Sequence, residues 1–218
     1  MTVLAPLGIL GGTFDPIHFA HLRLAEELAD AFALERVIFI PAAVPPHRDA
    51  PRASPAQRLE MVRLAVAGNP RFAVDDRELK RSGASYTYDT LQELRAACGD
   101  RPLCLILGAD AFSALTTWHR WQELFDLAHM AVARRPGFPL EQVAASLPSA
   151  LRAEYLHRLV PRPSQLALAP AGRVVVHEIT GLDISATQIR ALCARRGSLR
   201  YLLPDAVSAY IEQHRLYR

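Results

Sequence analysis

The chain has 218 residues, half of them hydrophobic and 22% charged, with 25 Lys and Arg against 22 Asp and Glu for a net charge of +3. That balance excludes a disordered chain, and no run approaches the ~18 consecutive apolar residues that span a bilayer. The three cysteines, Cys98, Cys104 and Cys193, are an odd number without CxxC spacing, which argues against a disulfide framework or a cysteine zinc site. The opening residues, Met1 to Pro6, lack the charged region and long apolar stretch of a secretion signal, so a reducing cytoplasm is expected.

In chain order, Leu7 to Leu10 reads as a buried strand stopped by Gly11-Gly12, and Phe19 to Phe32 as an amphipathic helix with Leu22, Ala25, Leu28 and Ala29 at helical spacing. Val37 to Ile40 is a second strand, stopped by Pro41, and Ala56 to Ala67 a helix with Leu59, Val62 and Val66 inward. Phe72 to Val74 is a third strand, Thr87 to Ala97 a helix, and Leu103 to Leu107 a fourth strand ending at Gly108. Ala131 to Ala133 and Val174 to Val176 are later strands, and Ser185 to Ala194 and Pro204 to Gln213 close the chain as helices. The proline clusters Pro41 to Pro55 and Pro161 to Pro170 read as loops, and Ser146 to Arg173 carries no motif. The rhythm predicts an α/β, Rossmann-like, doubly wound parallel sheet in a single domain over residues 1–218. Such sheets bind ligands beyond the carboxyl ends of their strands, so the segments that follow each strand hold the information.

After the first strand comes Gly11-Gly12-Thr13-Phe14-Asp15-Pro16-Ile17-His18-Phe19-Ala20-His21. The glycines permit a tight turn with exposed amides, and a helix begins near His18, where unpartnered amides and the dipole favour an anion. His18 and His21 share one face of that first turn. On its own, HxxH is more often the spacing of two ordinary partly buried histidines, and it lacks the HExxH pattern of a metal pair. Near the C-terminus, Ile184-Ser185-Ala186-Thr187-Gln188-Ile189-Arg190 places Ser185 and Gln188 at capping-box spacing, predicting a second helix start with Arg190 as a fixed cation.

Taken together, His18-Phe19-Ala20-His21 and Ile184 to Arg190 resemble the HxGH and ISxTxxR signatures of the nucleotidyltransferase superfamily, with Ala20 where that family usually has glycine. The segments Pro41 to Arg48, Ser85 to Leu91, Gly108-Ala109-Asp110, Trp118-His119-Arg120-Trp121 and Arg134-Arg135-Pro136-Gly137 extend the resemblance to the bacterial nicotinate-nucleotide adenylyltransferases, from about Leu7 to the C-terminus. The resemblance implies that Gly11, Gly12, Thr13, Phe14, His18, His21, Ile184, Ser185, Thr187 and Arg190 bind ATP, with His18, His21 and Arg190 catalytic. It implies that Asp15, His47, Tyr86, Thr87, Asp110, Trp118 and Arg135 bind nicotinate mononucleotide. In that assignment Asp110 accepts from a ribose, Trp118 stacks on the pyridine, and His47 and Arg135 contact phosphates. The amides near Thr87 meet the nicotinate carboxylate, and Trp121 belongs to the core. No metal site is expected in the protein, and Mg2+ is expected to arrive with ATP. Neither nucleic acid nor membrane is an expected partner, and a homo-oligomer stays open. The rival readings are another adenylyl or cytidylyl transferase, for example one acting on phosphopantetheine, and a non-catalytic basic nucleic-acid-binding domain. The Thr87 and Trp118 segments speak against the first and the scattered arginines against the second.

Overall fold

The computed structural model describes residues 4–46, 50–136 and 140–218. His47 and Gly137, both named above, lie outside them. The strands are β1 (Leu7–Gly12), β2 (Arg36–Pro41), β3 (Phe72–Val74), β4 (Leu103–Gly108), β5 (His129–Arg134) and β6 (Val174–Glu178). They form one six-stranded sheet in the order β3-β2-β1-β4-β5-β6, the doubly wound order expected from the sequence. β1, β4, β5 and β6 run parallel, with Leu7 opposite Leu103, Cys104 opposite His129 and Met130 opposite Val174.

The helices foreseen from periodicity are α1 (Phe19–Ala31), α2 (Pro55–Val66), α4 (Thr87–Cys98), α9 (Ala186–Ala194) and α10 (Asp205–Gln213). Periodicity does not reveal α3 (Arg77–Lys80), α5 (Ala109–Ser113), α6 (Leu124–Leu127), α7 (Leu140–Ser146) or α8 (Ser149–Arg158). The motif-poor stretch after Ser146 is therefore structured, and the second proline cluster holds a 3-10 run, Pro163–Leu168, with Pro163 leading the turn where its missing N–H costs nothing. By its contacts the chain divides into two compact units. The first comprises Met1–Leu10, Leu24–Val37 and Tyr86–Gly181, the second Gly11–Arg23, Ile38–Ser85 and Leu182–Arg218.

In the first unit, β4 and β5 are apolar on both faces, and Leu103 to Leu107 and Met130 to Ala133 are all buried, as strands covered on both sides require. Gly8 is needed there because a Cβ would come within 2.8 Å of Leu34 Cδ1 and 3.1 Å of Ile106 Cδ1. Arg95 closes the far end of α4, donating to the carbonyls of Gly99, Arg101, Leu127 and Pro170 at 2.6 to 2.8 Å. His129 is fully buried, with Nδ1 accepting from the Arg173 amide at 3.1 Å and Nε2 at 2.9 Å from the Ala169 carbonyl. One acceptor and one donor contact fix a neutral imidazole, and burial lowers its pKa accordingly.

In the second unit, Phe14, Ile17, Phe39, Met61, Val62, Val207 and Ile211 build the core. Helix α2 starts on a full capping box, in which the Ser54 hydroxyl accepts from the Gln57 amide and Gln57 Oε1 accepts from the Ser54 amide, with Pro55 in the first turn. Arg58, one turn on, is entirely buried. Its guanidinium donates to the carbonyls of Thr13 (2.7 Å), Ala43 (3.0 Å), Ala53 (3.3 Å) and Ala42. It thus ties the turn after β1 to the turn after β2.

Candidate active site

In the second unit, β1 ends at Gly12, where a Cβ would lie 2.9 Å from the Phe14 ring. Phe14 itself has a left-handed backbone, with φ of 49°, a conformation that costs energy for an aromatic residue and is found where surrounding structure over-determines it. Its ring is 3% exposed, tilted on Phe39 at 6.0 Å and edge-on to His21 at 5.1 Å. The Phe14 side chain therefore belongs to the core, and what it leaves for a ligand is its main chain.

Asp15, expected beside the mononucleotide, has its carboxylate engaged by the protein. Oδ2 accepts from the Arg52 amide at 2.9 Å, and Oδ1 accepts from the Ala53 amide at 3.0 Å and the Tyr217 hydroxyl at 2.8 Å. Four residues further, the chain enters α1, whose first amide, that of Phe19, donates to the Leu202 carbonyl at 3.0 Å.

His18 and His21 stack at 3.8 Å between centroids, 28° from parallel. His21 Nδ1 accepts from the His18 amide at 3.3 Å, so the proton of a neutral His21 sits on Nε2. His18 is 5% exposed, and its Nδ1 is buried with no hydrogen-bond partner among the described residues. An unpaired buried polar atom costs about 1–3 kcal/mol, so its retention calls for an explanation, such as strain, a catalytic role or a bound water or ion. With no group to hold a second proton, burial lowers the His18 pKa from 6.5 to about 4. The folded protein then binds fewer protons than the unfolded chain between those two values. Stability contributed by neutral His18 is complete above pH 6.5 and is lost as pH falls toward 4, by about 3 kcal/mol. Urea unfolding of the wild type and His18→Asn across that range is expected to show the wild type losing the extra stability. A wild-type-minus-variant difference independent of pH would contradict it.

Helix α9 begins where Ser185 caps it, its hydroxyl accepting from the Gln188 amide at 3.1 Å. The return bond from the Gln188 side chain is not made, so the expected box is half formed. Ile184 precedes it half-buried, and Thr187 is exposed. Arg190 Nη1 donates to the Asp15 carbonyl at 2.8 Å and lies 3.9 Å from Asp15 Oδ2, while Nη2 donates to Thr187 Oγ1 at 3.1 Å. The two motifs, 175 residues apart at this contact, are therefore joined through the main chain of Asp15. A guanidinium has five N–H donors, so a planar fork remains to Arg190 for an anion.

The other expected residues lie in the first unit. Tyr86 stands before α4 and makes no side-chain cap, leaving the amides at the start of that helix to an anion. Thr87 is its first residue, half-buried. Asp110 is exposed in the first turn after β4, Trp118 is half-buried, and Arg135 is exposed after β5. Trp121, expected in the core, is only half-buried and stands edge-on to Phe125 at 6.4 Å. It is the first residue of a 3-10 turn, Trp121–Glu123, and is not among the fully buried residues. His119 was not singled out from the sequence, yet its ring lies 4.5 Å from Tyr86 and 6.2 Å from Tyr88. Arg120 covers the Tyr88 ring at 3.8 Å. Only the Trp-His-Arg-Trp run hinted at this aromatic group. Among the described residues, no three His, Cys, Asp or Glu side chains gather to hold a metal ion, and no helix is long and apolar enough to cross a membrane.

A six-stranded parallel α/β sheet with these motif residues after its strands defines a nucleotidyltransferase, and the model of the family described as cytidylyltransferase-like matches residues 9–192. A protein of Dechloromonas aromatica (strain RCB), named "Probable nicotinate-nucleotide adenylyltransferase", is 52% identical over 98% of each chain. Its namesake in Halorhodospira halophila (strain DSM 244 / SL1) is 52% identical over 94% of this chain and 91% of its own. The chain belongs to the nicotinate-nucleotide adenylyltransferases of the cytidylyltransferase-like family. Among solved structures, the fold is shared with Plasmodium falciparum nicotinic acid mononucleotide adenylyltransferase complexed with NaAD. That match has a TM-score of 0.74 and 16% identity, and covers 98% of this chain and 97% of that one. A second structure of the Plasmodium enzyme, complexed with APC, matches with a TM-score of 0.71, 15% identity and the same coverage.

Proposed function

We propose that the protein transfers the adenylyl group of ATP to nicotinate mononucleotide, giving deamido-NAD and pyrophosphate. A phosphate oxygen of the mononucleotide attacks the α-phosphorus of ATP. The bond from that phosphorus to the α,β-bridging oxygen breaks, and pyrophosphate leaves with the electron pair. The attacking phosphate is already an anion at neutral pH, so no general base is required. The work left to the protein is positioning and stabilisation of charge on the leaving group. The observation that carries this reading is the gathering of both motifs in one unit, where Arg190 is fixed on the Asp15 carbonyl and on Thr187, and where the His18 and His21 rings stack.

In this reading His18, His21, Thr187, Arg190 and the amides near Ser185 hold the triphosphate. On the acceptor side, the open amides of α4 meet the pyridine carboxylate, Trp118 stacks on the ring, and Asp110 accepts from the ribose. His47 and Arg135 are assigned to phosphate. Mg2+ would enter with the nucleotide substrate and offset the charge of its phosphates, with no dedicated protein site. Pyrophosphate release from Mg-ATP with a panel of acceptors tests the whole: nicotinate mononucleotide is expected to be the best acceptor. Turnover with phosphopantetheine alone would transfer the site to another reaction of the superfamily. Tight, steeply salt-dependent binding of random DNA without turnover would favour the non-catalytic reading.

A further inference from the structure

Tyr217 lies at the opposite end of the chain from the HxxH segment, and neither signature motif includes it. Its side chain is 7% exposed, and its hydroxyl donates to Asp15 Oδ1 at 2.8 Å across 202 residues of sequence. Asp15 is a node with two faces. Its carboxylate is held by Tyr217 and by the amides of Arg52 and Ala53, while its carbonyl receives Arg190 Nη1 at 2.8 Å. Of the three hydrogen-bond donors on the carboxylate among the described residues, the Tyr217 hydroxyl is the one side chain, with Arg190 Nη1 farther off at 3.9 Å from Oδ2. Burial, together with the adjacent Asp15 carboxylate, pushes the phenol pKa far up, so this donor keeps its proton wherever the protein is folded.

We propose that Tyr217 is a positioning residue for phosphate binding, fixing Asp15 so that the Asp15 carbonyl orients the Arg190 guanidinium. The inference rests on the reading of Arg190 as a triphosphate ligand. Two of its N–H groups are spent on Asp15 and Thr187, and those two bonds set the plane in which the remaining donors lie. Bidentate recognition depends on that plane more than on the charge itself. A loosened Asp15 would leave the charge near the phosphates and lose the alignment.

Tyr217→Phe keeps the ring and removes the hydroxyl. It is expected to lower kcat/KM for ATP by roughly 10-fold, equivalent to about 1.4 kcal/mol, while KM for the acceptor stays near the wild-type value. The decisive readout is a double-mutant cycle with Arg190→Ala. If Tyr217 acts through Arg190, Tyr217→Phe costs little further once Arg190 is gone. A purely structural tyrosine would lower the unfolding temperature and leave the ATP parameters unchanged, or would lower them equally in both backgrounds. Either result overturns the proposal. An Arg190→Ala variant with normal ATP kinetics would overturn the triphosphate reading of Arg190, and the proposal with it. Impaired Arg190→Ala beside unimpaired Tyr217→Phe removes the proposal alone.

Discussion

His18→Ala is expected to lower turnover by roughly 100-fold or more, the usual cost of losing a preorganised donor to developing charge, while the protein stays folded. The ring is buried but one of its nitrogens has no partner, so its removal takes away packing and an unpaired polar atom together. Those effects on stability oppose each other. The stack on His21 is also lost, yet His21 keeps the Phe14 edge contact and its place on α1. A melting temperature within a few degrees of wild type together with a collapsed kcat is the expected pair of results. Turnover within threefold of wild type in a folded His18→Ala protein would remove His18 from the catalytic set. Zinc in the purified wild type, lost with His18, would revive the metal reading of HxxH.

The second large effect is the choice between acid and amide. Nicotinate mononucleotide carries a ring carboxylate where nicotinamide mononucleotide carries a neutral amide. Tyr86 leaves the start of α4 without a side-chain cap, and under the proposed assignment the amides there donate to the carboxylate. The NH2 of a carboxamide would face those same donors with nothing to accept its hydrogens. An unpaired buried polar group costs about 1–3 kcal/mol, which is roughly 5-fold to 150-fold in kcat/KM, and loss of the ligand charge widens the gap. Preference for nicotinate mononucleotide by at least that margin is expected. Trp118→Ala should weaken both acceptors alike, because stacking does not distinguish them. Equal use of the two mononucleotides would overturn the carboxylate assignment at α4 and leave adenylyl transfer intact.

Much of the sheet was legible because strands covered on both faces are unbroken apolar runs, as in Leu103 to Leu107. The start of α9 was legible because Ser185 announces it. The same cue marks α2: Ser54-Pro55-Ala56-Gln57 spells the capping box that begins it one residue earlier than periodicity suggests. The helices of four and five residues, α3, α5 and α6, carry too few turns for a period to show. α8 spans ten residues, but it buries only Leu151 and Tyr155, so its apolar stripe is too thin to read. From the sequence the candidate site is readable as its two motifs and as segments that resemble the family's, such as Ser85 to Leu91 and Trp118 to Trp121. That Arg58 and Arg95 serve carbonyls rather than phosphates, or that Tyr217 reaches Asp15, depends on contacts made after the chain has folded. An arginine-rich composition alone gave no means of sorting anchors from ligand-binding arginines.

The buried Arg58 has a mechanical consequence. Its single planar head takes hydrogen bonds to Thr13 at the end of β1 and to Ala42 and Ala43 beyond β2, and a further one to Ala53 before α2. Without the cation these carbonyl dipoles would have no common partner, so they cannot part without leaving a buried guanidinium bare. The turns that carry Thr13 and Ala42 are therefore riveted to α2. Displacing either turn alone would break its bond to Arg58 and leave a buried polar group unpaired, at about 1–3 kcal/mol.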